Sequence, residues 1–431
     1  MATRFDPSGP LRGALRPPPD KSVSHRAALI AAMGEGETRI EGYLDAADTR
    51  STLDAVRALG ATVEGAGSDA IEPTLRVRGV GLRDAAAATV DVGNAGTLLR
   101  LLPGWLAGQE AGEWTLDGDD SIRRRPVDRV AAPLGLMGAR IECREGRLPP
   151  LRIEAAPLRG IDYELPVASA QVKSCLLFAG LLAEGETRIA EPLLSRDHSE
   201  RMLVAAGAEV ERVDGVVSVR PATRLEPGEI AVPADFSSAA FLIVAALLVP
   251  GSDVSLAGVG LNPTRTGLLS ILSRMGAEIE VEPEGERGGE PSGRLRIRPS
   301  QLRGAEVGGS DIPLTIDELP LVALAACFAE GVTTISDADE LRRKESDRIA
   351  TVGAALTALG ASVETSDDGM RIEGAGALRG GRIDSHGDHR IAMLGAVAGL
   401  ASREGAEVAG MDVAAVSYPG FEADLASLAN R

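Results

Sequence analysis

The stretch Gly60-Ala61-Thr62-Val63-Glu64 recurs along the chain as glycine, alanine, a variable position, an apolar residue and glutamate. Each copy follows an apolar stretch with helical spacing, so the glycine is typical of a helix end and the residues after it of a strand. Recurrence at intervals of 69 to 84 residues indicates repeated supersecondary units. The other copies are Gly138–Glu142, Gly207–Glu211, Gly276–Glu280 and Gly360–Glu364.

Each unit also contains an earlier helix, a glycine turn and a strand, as at Gly36–Ile40 and Gly331–Ile335. The predicted unit therefore runs helix, strand, loop, helix, strand, strand, and a sixth, truncated copy extends from 388 to 431. Six units predict two domains of three, and the apolar runs 239–249 and 319–329 predict helices that are buried on all sides. A solenoid that only binds partners is the alternative, but it would keep the polar residues at the helix starts alike, and these differ.

The composition limits the class of partner. The 431 residues carry a formal net charge of −18 and only 3% aromatic side chains, so the chain repels nucleic acid and anionic lipid and lacks rings that stack on bases. We expect no nucleic-acid and no membrane partner. Three dispersed cysteines fit a reducing compartment, the cytoplasm, with Cys175 and Cys327 as core residues. Four histidines without CxxC or HExxH spacing predict no metal site.

The predicted buried helices open on polar residues that differ from unit to unit. Such residues favour helix N-caps, and capping alone explains the start at Asp235. Capping needs no cation, however, and positive charge at a helix N-terminus is mildly unfavourable. Lys21, Arg26, Lys173 and Arg390 therefore indicate bound anions, which helix N-termini accept readily. The helix starts are 21–22, 94–97, 169–171, 235–238, 317–318 and 388–390.

The clearest of these starts is Lys21–Arg26. Ser22 and Arg26 are four residues apart and share a helix face, while His25 is expected to pack or form a hydrogen bond rather than catalyse. Arginines also recur in the loops that open the second helices, and arginine is the preferred bidentate partner of carboxylate and phosphate. One or two arginines in each loop are expected to be surface residues only. The loops are 123–126, 195–198 and 342–348.

Taken in order, these segments resemble the 5-enolpyruvylshikimate-3-phosphate synthases, a family of enolpyruvyl transferases. The resemblance runs from about residue 13 to residue 428. One motif alone is weak, but eight in order at repeat-consistent positions are very specific. They are Lys-Ser-Val-Ser-His-Arg (21–26), Asn-Ala-Gly-Thr (94–97), Arg-Pro (125–126), Ser-Ala-Gln-Val-Lys-Ser (169–174), Arg-Asp-His (196–198), Asp-Glu (317–318), Arg-Arg-Lys-Glu-Ser-Asp-Arg (342–348) and Asp-His-Arg (388–390).

The resemblance implies an α/β (α+β) fold of two domains, each of three βαβαββ repeats around buried helices, an inside-out α/β barrel. In that fold the N-terminal strand pairs with the second domain, so 19–229 would form one domain and 1–18 with 230–431 the other. The implied reaction joins phosphoenolpyruvate to 3-phosphoshikimate, giving an enolpyruvyl ether and inorganic phosphate in the shikimate pathway of aromatic amino-acid biosynthesis. The two domains would close around the substrates, and the enzyme would be a monomer without a cofactor.

Site residues follow from the same resemblance, motif by motif. Asp317, assisted by Lys21, would be the base for the 5-hydroxyl, and Glu345 would donate the proton to C3 of phosphoenolpyruvate. Such an acid needs a raised pKa, which closure would supply and which Lys344 and Arg348 oppose. 3-Phosphoshikimate would contact Lys21, Ser22, Arg26, Ser169, Ala170, Gln171, Arg196, Asp317 and Lys344. Phosphoenolpyruvate would contact Lys21, Asn94, Gly96, Arg125, Gln171, Arg348 and Arg390.

The chain departs from many family members at two positions. The segment Ala415–Pro419 has no lysine before its aromatic residue and proline, and Arg196 stands where others have a small hydroxyl residue. Gly96 follows the family pattern. Without a Cβ it lets the backbone approach a ligand closely, and because this glycine relates to glyphosate sensitivity in the family, the resemblance implies an inhibitable enzyme.

Two other functions stay open. The sister enzyme that transfers the same group to UDP-N-acetylglucosamine shares the fold and the Arg-Pro-Val-Asp string at 125–128. It usually carries a reactive cysteine in the preceding loop, and 117–124 has none. A non-catalytic anion-binding repeat protein would show no turnover, and Asp317 and Glu345 would be dispensable for ligand binding.

Overall fold

The chain folds into two compact units, each with its own hydrophobic core. A computed structural model describes residues 2–65 and 74–429. Unit one comprises Met1–Pro18, Ala234–Gly285 and Pro291–Arg431, and unit two comprises Pro19–Pro233 and Glu286–Glu290.

The described residues form 23 strands. In chain order they are β1 (Ala2–Phe5), β2 (Arg12–Leu15), β3 (Glu37–Glu41), β4 (Thr62–Glu64), β5 (Thr74–Arg78), β6 (Ala88–Asp91), β7 (Glu113–Asp117), β8 (Arg140–Arg144), β9 (Leu148–Glu154), β10 (Asp162–Glu164), β11 (Thr187–Ala190), β12 (Val210–Val213), β13 (Val216–Val219), β14 (Glu229–Ala231), β15 (Asp253–Gly260), β16 (Ile279–Arg287), β17 (Glu290–Ile297), β18 (Glu306–Val307), β19 (Glu330–Ile335), β20 (Ser362–Thr365), β21 (Met370–Ala375), β22 (Gly381–Asp384) and β23 (Ala406–Ala409).

Thirteen α-helices and three 3-10 turns complete the described secondary structure. The helices are α1 (Lys21–Met33), α2 (Ala47–Ala58), α3 (Gly96–Ala107), α4 (Asp128–Leu136), α5 (Ala170–Gly180), α6 (His198–Ala205), α7 (Phe236–Leu248), α8 (Gly267–Arg274), α9 (Asp311–Thr315), α10 (Leu319–Phe328), α11 (Arg348–Ala358), α12 (His389–Ala401) and α13 (Phe421–Ala429). The 3-10 turns span Ile122–Arg124, Asp339–Arg343 and Met411–Val416.

The strands form six sheets, one for each repeat, and the mixed α/β repeat fold is confirmed. In every sheet the strand after the buried helix pairs with a parallel strand on one side and an antiparallel strand on the other. The strand orders in unit two are β14-β3-β5-β4, β6-β7-β9-β8 and β10-β11-β13-β12. Those in unit one are β16-β17-β15-β2, β18-β19-β21-β20 and β1-β23-β22.

The recurring glycines end helices, as the sequence predicts. Gly60, Gly138, Gly207, Gly276 and Gly360 have φ values of 104°, 100°, 89°, 96° and 94°. Side-chain-bearing residues rarely adopt this region, so glycine stops each helix and redirects the chain into a strand. This requirement explains why the recurring stretch begins with glycine in all five repeats.

The predicted buried helices are also confirmed. Every residue of α7 is at most 9% exposed, and α10 is buried from Leu319 to Cys327. Such helices are apolar all round because repeats pack around them on every side. Cys175 in α5 and Cys327 in α10 are core residues, as predicted, and burial raises the pKa of the Cys327 thiol to about 12.

The sixth repeat is not simply truncated. Its sheet contains β22 and β23 from the C-terminal region, and β1 from the N-terminus pairs antiparallel with β23. The N-terminal strand therefore supplies the antiparallel strand that the last repeat lacks.

The unit boundaries differ from the sequence prediction at two places. Residues 230–233 belong to unit two because β14 pairs with β3 there. Residues 286–290 also belong to unit two, where Arg287 forms ion pairs with Glu41 and Glu229. No helix within the described ranges is long and apolar enough to cross a membrane.

Candidate functional site

Side-chain contacts connect the N-termini of α1, α3 and α5 in unit two. Gln171 Nε2 of α5 donates to Thr97 Oγ1 of α3 at 3.2 Å. Arg26 Nη2 of α1 donates to Ser174 Oγ of α5 at 3.0 Å. The helix starts that the sequence singled out in three separate repeats of unit two are therefore neighbours.

Arg26 is a buried cation with neutral partners. Its side chain is 3% exposed, Nε donates to Ser199 Oγ at 2.8 Å, and Nη1 donates to the Ser22 carbonyl oxygen at 3.0 Å. Burial lowers the pKa of Arg26 to about 10, so the group stays charged at neutral pH. Among the described residues no carboxylate forms an ion pair with it. Arg26 can therefore pair with an external anion in addition to its neutral partners.

Gly96 begins α3 and is flanked by two guanidinium groups. Arg125 Nη2 donates to Asn94 Oδ1 at 2.7 Å, which fixes the arginine beside the helix start. A Cβ added at Gly96 would lie 2.9 Å from Nη1 of both Arg100 and Arg125. Free backbone N–H groups at a helix start and two cations at one glycine form a cradle suited to phosphate or carboxylate.

Arg100 is a site residue that the sequence analysis did not single out. Its Nη1 donates to the Gly96 carbonyl oxygen at 3.1 Å, and its Nε is buried without an acceptor. Burial, then the nearby charges of Arg129 and Arg125, lower the pKa of Arg100 to about 10. Desolvated like charges repel each other, and a bound anion relieves that repulsion. The four-residue spacing from Gly96 was the available signal.

Lys21 and His25 occupy the same helix but differ in role. Lys21 Nζ pairs with the Asp48 carboxylate. His25 is fully buried, with Nδ1 2.6 Å from Thr52 Oγ1, and burial together with the Lys21 charge holds its pKa well below the ordinary value. The prediction that His25 packs and forms a hydrogen bond is confirmed.

The other predicted residues of unit two surround Arg26 and α5. Ser169 is the N-cap of α5 and accepts from the Val172 N–H at 3.4 Å. The Ala170 carbonyl oxygen accepts from Ser174 Oγ at 2.6 Å. Arg196 lies two residues before the start of α6, and its charge helps to lower the pKa of Arg26. A second cation therefore lies near Arg26.

In unit one, three predicted cations surround Asp317. Its carboxylate lies 3.6 Å from Lys344 Nζ, 3.3 Å from Arg348 Nη1 and 3.8 Å from Arg390 Nη2. Arg390 Nη1 also donates to the Asp317 carbonyl oxygen at 3.1 Å. Residues from the starts of α10, α11 and α12 therefore meet at one carboxylate.

Arg348 is the centre of the cluster in unit one. It is 1% exposed, and its Nε donates to Asp388 Oδ2 at 2.8 Å and its Nη2 to Glu345 Oε2 at 2.6 Å. Burial opposes the charge on Asp388, but the hydrogen bond and charge of Arg348 outweigh burial and lower the pKa of Asp388 to about 2. Asp388 also caps α12 through the Arg390 N–H at 2.9 Å. Asp388 thereby contacts both Arg348 and Arg390, which the sequence predicts to bind phosphoenolpyruvate.

Glu345 does not have the raised pKa that its predicted role requires. Burial favours a higher pKa, but the Arg348 guanidinium and then His389 outweigh burial and hold the pKa below its ordinary value. His389 is itself neutral at pH 7, since burial and the Arg390 charge lower its pKa to about 4. Without ligands Glu345 is therefore ionised at neutral pH, and an anion that competes for Arg348 is needed to reverse the shift.

The lysine that many relatives carry near the C-terminus has no cationic substitute in Ala415–Pro419. Tyr418 belongs to this segment and is 1% exposed. Its hydroxyl donates to Asp424 Oδ2 at 2.9 Å, and its ring meets Phe421 edge-on at 5.2 Å between centroids. The segment here anchors α13 to the core of unit one.

Several arginines of the basic loops are surface residues, as predicted. Arg123 is half-exposed and pairs with Asp117 at 2.8 Å, and Arg343 is 66% exposed. Within the described ranges, no group of three or more histidine, cysteine or acidic side chains is arranged to hold a metal ion. Unit two thus offers anion sites, and unit one combines cations with carboxylates that can exchange protons.

The chain is similar to known proteins over nearly its whole length. A family model described as EPSP synthase (3-phosphoshikimate 1-carboxyvinyltransferase) matches residues 5–425. The 3-phosphoshikimate 1-carboxyvinyltransferase of Gloeobacter violaceus is 51% identical, covering 99% of this chain and 98% of the relative. The Synechococcus sp. enzyme of the same name is 50% identical, covering 99% and 96%. A solved EPSP synthase structure from Acinetobacter baumannii superposes with a TM-score of 0.91 at 41% identity, covering 99% and 98%.

Proposed function

The chain belongs to the EPSP synthase family, the 3-phosphoshikimate 1-carboxyvinyltransferases, and we propose that it transfers the enolpyruvyl group of phosphoenolpyruvate to the 5-hydroxyl of 3-phosphoshikimate. Inorganic phosphate is released, and the reaction belongs to the shikimate pathway of aromatic amino-acid biosynthesis. The observation that carries the assignment is the whole-chain family match together with the arginine clusters. The substrates bring two phosphates and two carboxylates, and such ligands need several cations in an acidic protein.

Unit two supplies the first group of anion ligands. Gly96, Arg125 and the helix start of α3 bind the phosphate of phosphoenolpyruvate, a role supported by two guanidinium groups that flank one glycine. Arg26 binds an oxyanion of 3-phosphoshikimate, a role supported by its burial without an ion-pair partner among the described residues. The other 3-phosphoshikimate ligands of this unit are Lys21, Ser22, Ser169, Ala170, Gln171 and Arg196.

Unit one supplies the acid and the base. Asp317 takes the proton of the 5-hydroxyl as its oxygen attacks C2 of phosphoenolpyruvate, and Glu345 gives a proton to C3. In the second step Glu345 takes a proton back from C3 while the C2–O bond to phosphate breaks. Lys344 binds 3-phosphoshikimate, and Arg348 and Arg390 bind phosphoenolpyruvate. Fixing both substrates in line makes the attack effectively unimolecular.

We further propose a monomeric, cytoplasmic enzyme whose partners are these two small molecules. The net charge of −18 supports the expectation that nucleic acids and anionic membranes are not partners. No step of the reaction needs a cofactor, because phosphoenolpyruvate itself supplies the transferred group.

Phosphate release from phosphoenolpyruvate, with and without 3-phosphoshikimate, tests the proposal. We expect release only when both substrates are present, in amounts equal to the enolpyruvyl ether formed. Release without 3-phosphoshikimate, or turnover with UDP-N-acetylglucosamine instead, contradicts the assignment. Substrate binding without any turnover contradicts it in favour of a binding protein.

Replacing Gly96 by alanine is expected to weaken phosphoenolpyruvate binding selectively. The new Cβ displaces the guanidinium ends of Arg100 and Arg125, both 2.9 Å away, and a small misplacement at a reacting group is costly. We expect the KM for phosphoenolpyruvate to rise about tenfold and inhibition by glyphosate to weaken, with the KM for 3-phosphoshikimate nearly unchanged. Steady-state kinetics provide the measurement.

The matched control for this prediction is Gly135→Ala in helix α4 of the same unit. A Cβ there meets no atom within 4 Å, so the kinetics should stay at wild-type values. Equal effects of Gly96→Ala on both substrates would argue against a phosphate cradle at Gly96.

A further inference from the structure

Two serines of unit two accept hydrogen bonds along one edge of Arg26. Arg26 Nε donates to Ser199 Oγ at 2.8 Å and Nη2 to Ser174 Oγ at 3.0 Å, and the two hydroxyl oxygens are 2.7 Å apart. A bidentate carboxylate accepts from an arginine through two neighbouring oxygens in this way. The serine pair has the same arrangement of acceptors but no charge.

The hydrogen-bond directions around the pair are settled by its last acceptor. The Ala170 carbonyl oxygen can only accept, so Ser174 donates to it at 2.6 Å. Ser199 then donates to Ser174 at 2.7 Å. Both hydroxyl hydrogens are therefore used away from Arg26, and both oxygens present lone pairs to it.

Two N–H groups of Arg26 remain for a ligand. A guanidinium carries five N–H donors, and Ser199, Ser174 and the Ser22 carbonyl accept three of them. One hydrogen on Nη1 and one on Nη2 have no acceptor among the described residues. These two hydrogens can donate to an oxyanion, which arginine binds strongly.

The negative charge of Glu200 near Arg26 is compensated by other cations. Glu200 is the carboxylate that most strongly affects the pKa of Arg26, but it lies 2.7 Å from the buried Lys173 Nζ and 3.1 Å from Arg212 Nη2. Glu200 is therefore paired with two other cations. A hydroxyl pair fixes the arginine without neutralising it.

We infer that Ser174 and Ser199 are positioning residues for substrate binding, acting through Arg26. They hold its guanidinium in one orientation and leave its full charge for an oxyanion of 3-phosphoshikimate. The inference rests on the proposed function. It adds Ser174 and Ser199, neither of which is proposed to contact a substrate. A carboxylate at either position would hold the arginine equally well but would compete with the substrate.

Binding of 3-phosphoshikimate to the enzyme alone, measured by titration calorimetry, tests the inference without turnover. Ser199→Ala is expected to weaken binding about tenfold, the worth of a hydrogen bond to a charged group, whereas Ser199→Thr keeps the hydroxyl and restores affinity. The KM for phosphoenolpyruvate at saturating 3-phosphoshikimate should stay nearly constant. Ser402→Ala, which removes a buried hydroxyl at the end of α12, controls for a general loss of stability.

The decisive comparison uses an Arg26→Gln background. If the serines act through Arg26, Ser199→Ala adds almost nothing there. An equal loss with and without Arg26, or wild-type affinity in a folded Ser199→Ala variant, overturns the inference. If Ser199→Ala does not fold, Ser199→Asp replaces it in the test. Because the new carboxylate neutralises Arg26, we expect its affinity for 3-phosphoshikimate to fall about a hundredfold. Unchanged affinity in Ser199→Asp overturns the inference. Wild-type binding without turnover would instead contradict the proposed function alone.

Discussion

An Asp317→Asn variant is expected to lose between about a hundredfold and ten-thousandfold in kcat, the range that a positioned acid or base contributes. The asparagine keeps an oxygen that accepts from Arg348 Nη1, 3.3 Å from Asp317 Oδ1, so the local packing should survive. The substitution removes the negative charge of Asp317 and with it the ability to take a proton from the 5-hydroxyl. The measurement is the rate of phosphate release with both substrates saturating.

The KM values separate this role from simple binding. Asp317 lies within 4 Å of Lys344, Arg348 and Arg390, and removing its negative charge leaves these cations more available to anions. The KM values should therefore stay equal or fall while kcat collapses, because the interaction lost belongs to the transition state. Asp339→Asn, a 62% exposed carboxylate paired with Arg343 at 3.7 Å, is the matched control. Unchanged kcat in Asp317→Asn would exclude it as the base.

A Glu345→Gln variant is expected to lose kcat over the same range of about 10² to 10⁴. Glutamine still accepts from Arg348 Nη2, which lies 2.6 Å from Glu345 Oε2, but it cannot donate and recover the proton at C3. Affinity for both substrates should change little. Solvent deuterium exchange into C3 during turnover offers a second measurement, since the variant should lose exchange together with the rate.

Glu345 also makes a prediction about pH. Its pKa without ligands lies below the ordinary value because Arg348 and His389 outweigh burial, so the carboxylate is ionised at neutral pH. A phosphoenolpyruvate carboxylate bound at Arg348 adds negative charge nearby, and this raises the pKa of Glu345. Binding should therefore be accompanied by proton uptake, and kcat should fall as pH rises through the raised pKa, since the protonated form is the active one.

Calorimetry in buffers with different ionisation heats measures this uptake. Wild-type enzyme with 3-phosphoshikimate and a non-reacting phosphoenolpyruvate analogue should take up protons, and Glu345→Gln should take up fewer. Because His389 titrates in the same cluster and has a pKa lowered to about 4, the difference between the two proteins is the informative quantity. Equal uptake would mean that Glu345 is not the acid.

The repeat architecture could be predicted from the sequence because it depends on the conformation of single residues and on the composition of single helices. The glycine that adopts positive φ after each helix can be recognised directly in the sequence. The apolar composition of α7 and α10 predicts that both helices are buried, without any knowledge of their neighbours. The candidate cations were accessible for a similar reason, since positive charge at a helix start is unfavourable without an anion.

Side-chain partners were not accessible in this way. Apart from its spacing from Gly96, no feature of the sequence distinguishes Arg100 from other helix residues. In the folded chain it lies at Gly96, as does Arg125. The serines that hold Arg26 come from two other helices, 148 and 173 residues away in sequence. Spacing along a helix relates residues three or four apart, but it carries no information about contacts between helices.

The repeats, the buried helices and the charged residue types of the site could be predicted from the sequence because each follows from a backbone requirement or a local charge, and the family could be predicted from the order of the motifs. The packed chain was needed to show that β1 pairs with β23 of the last repeat, that Glu345 has a lowered pKa, and that hydroxyl groups hold Arg26. Strand pairing, burial and charge–charge distance are properties of the packed chain, and the energy of two charges depends on their separation and on the local dielectric constant, which a list of residues does not contain.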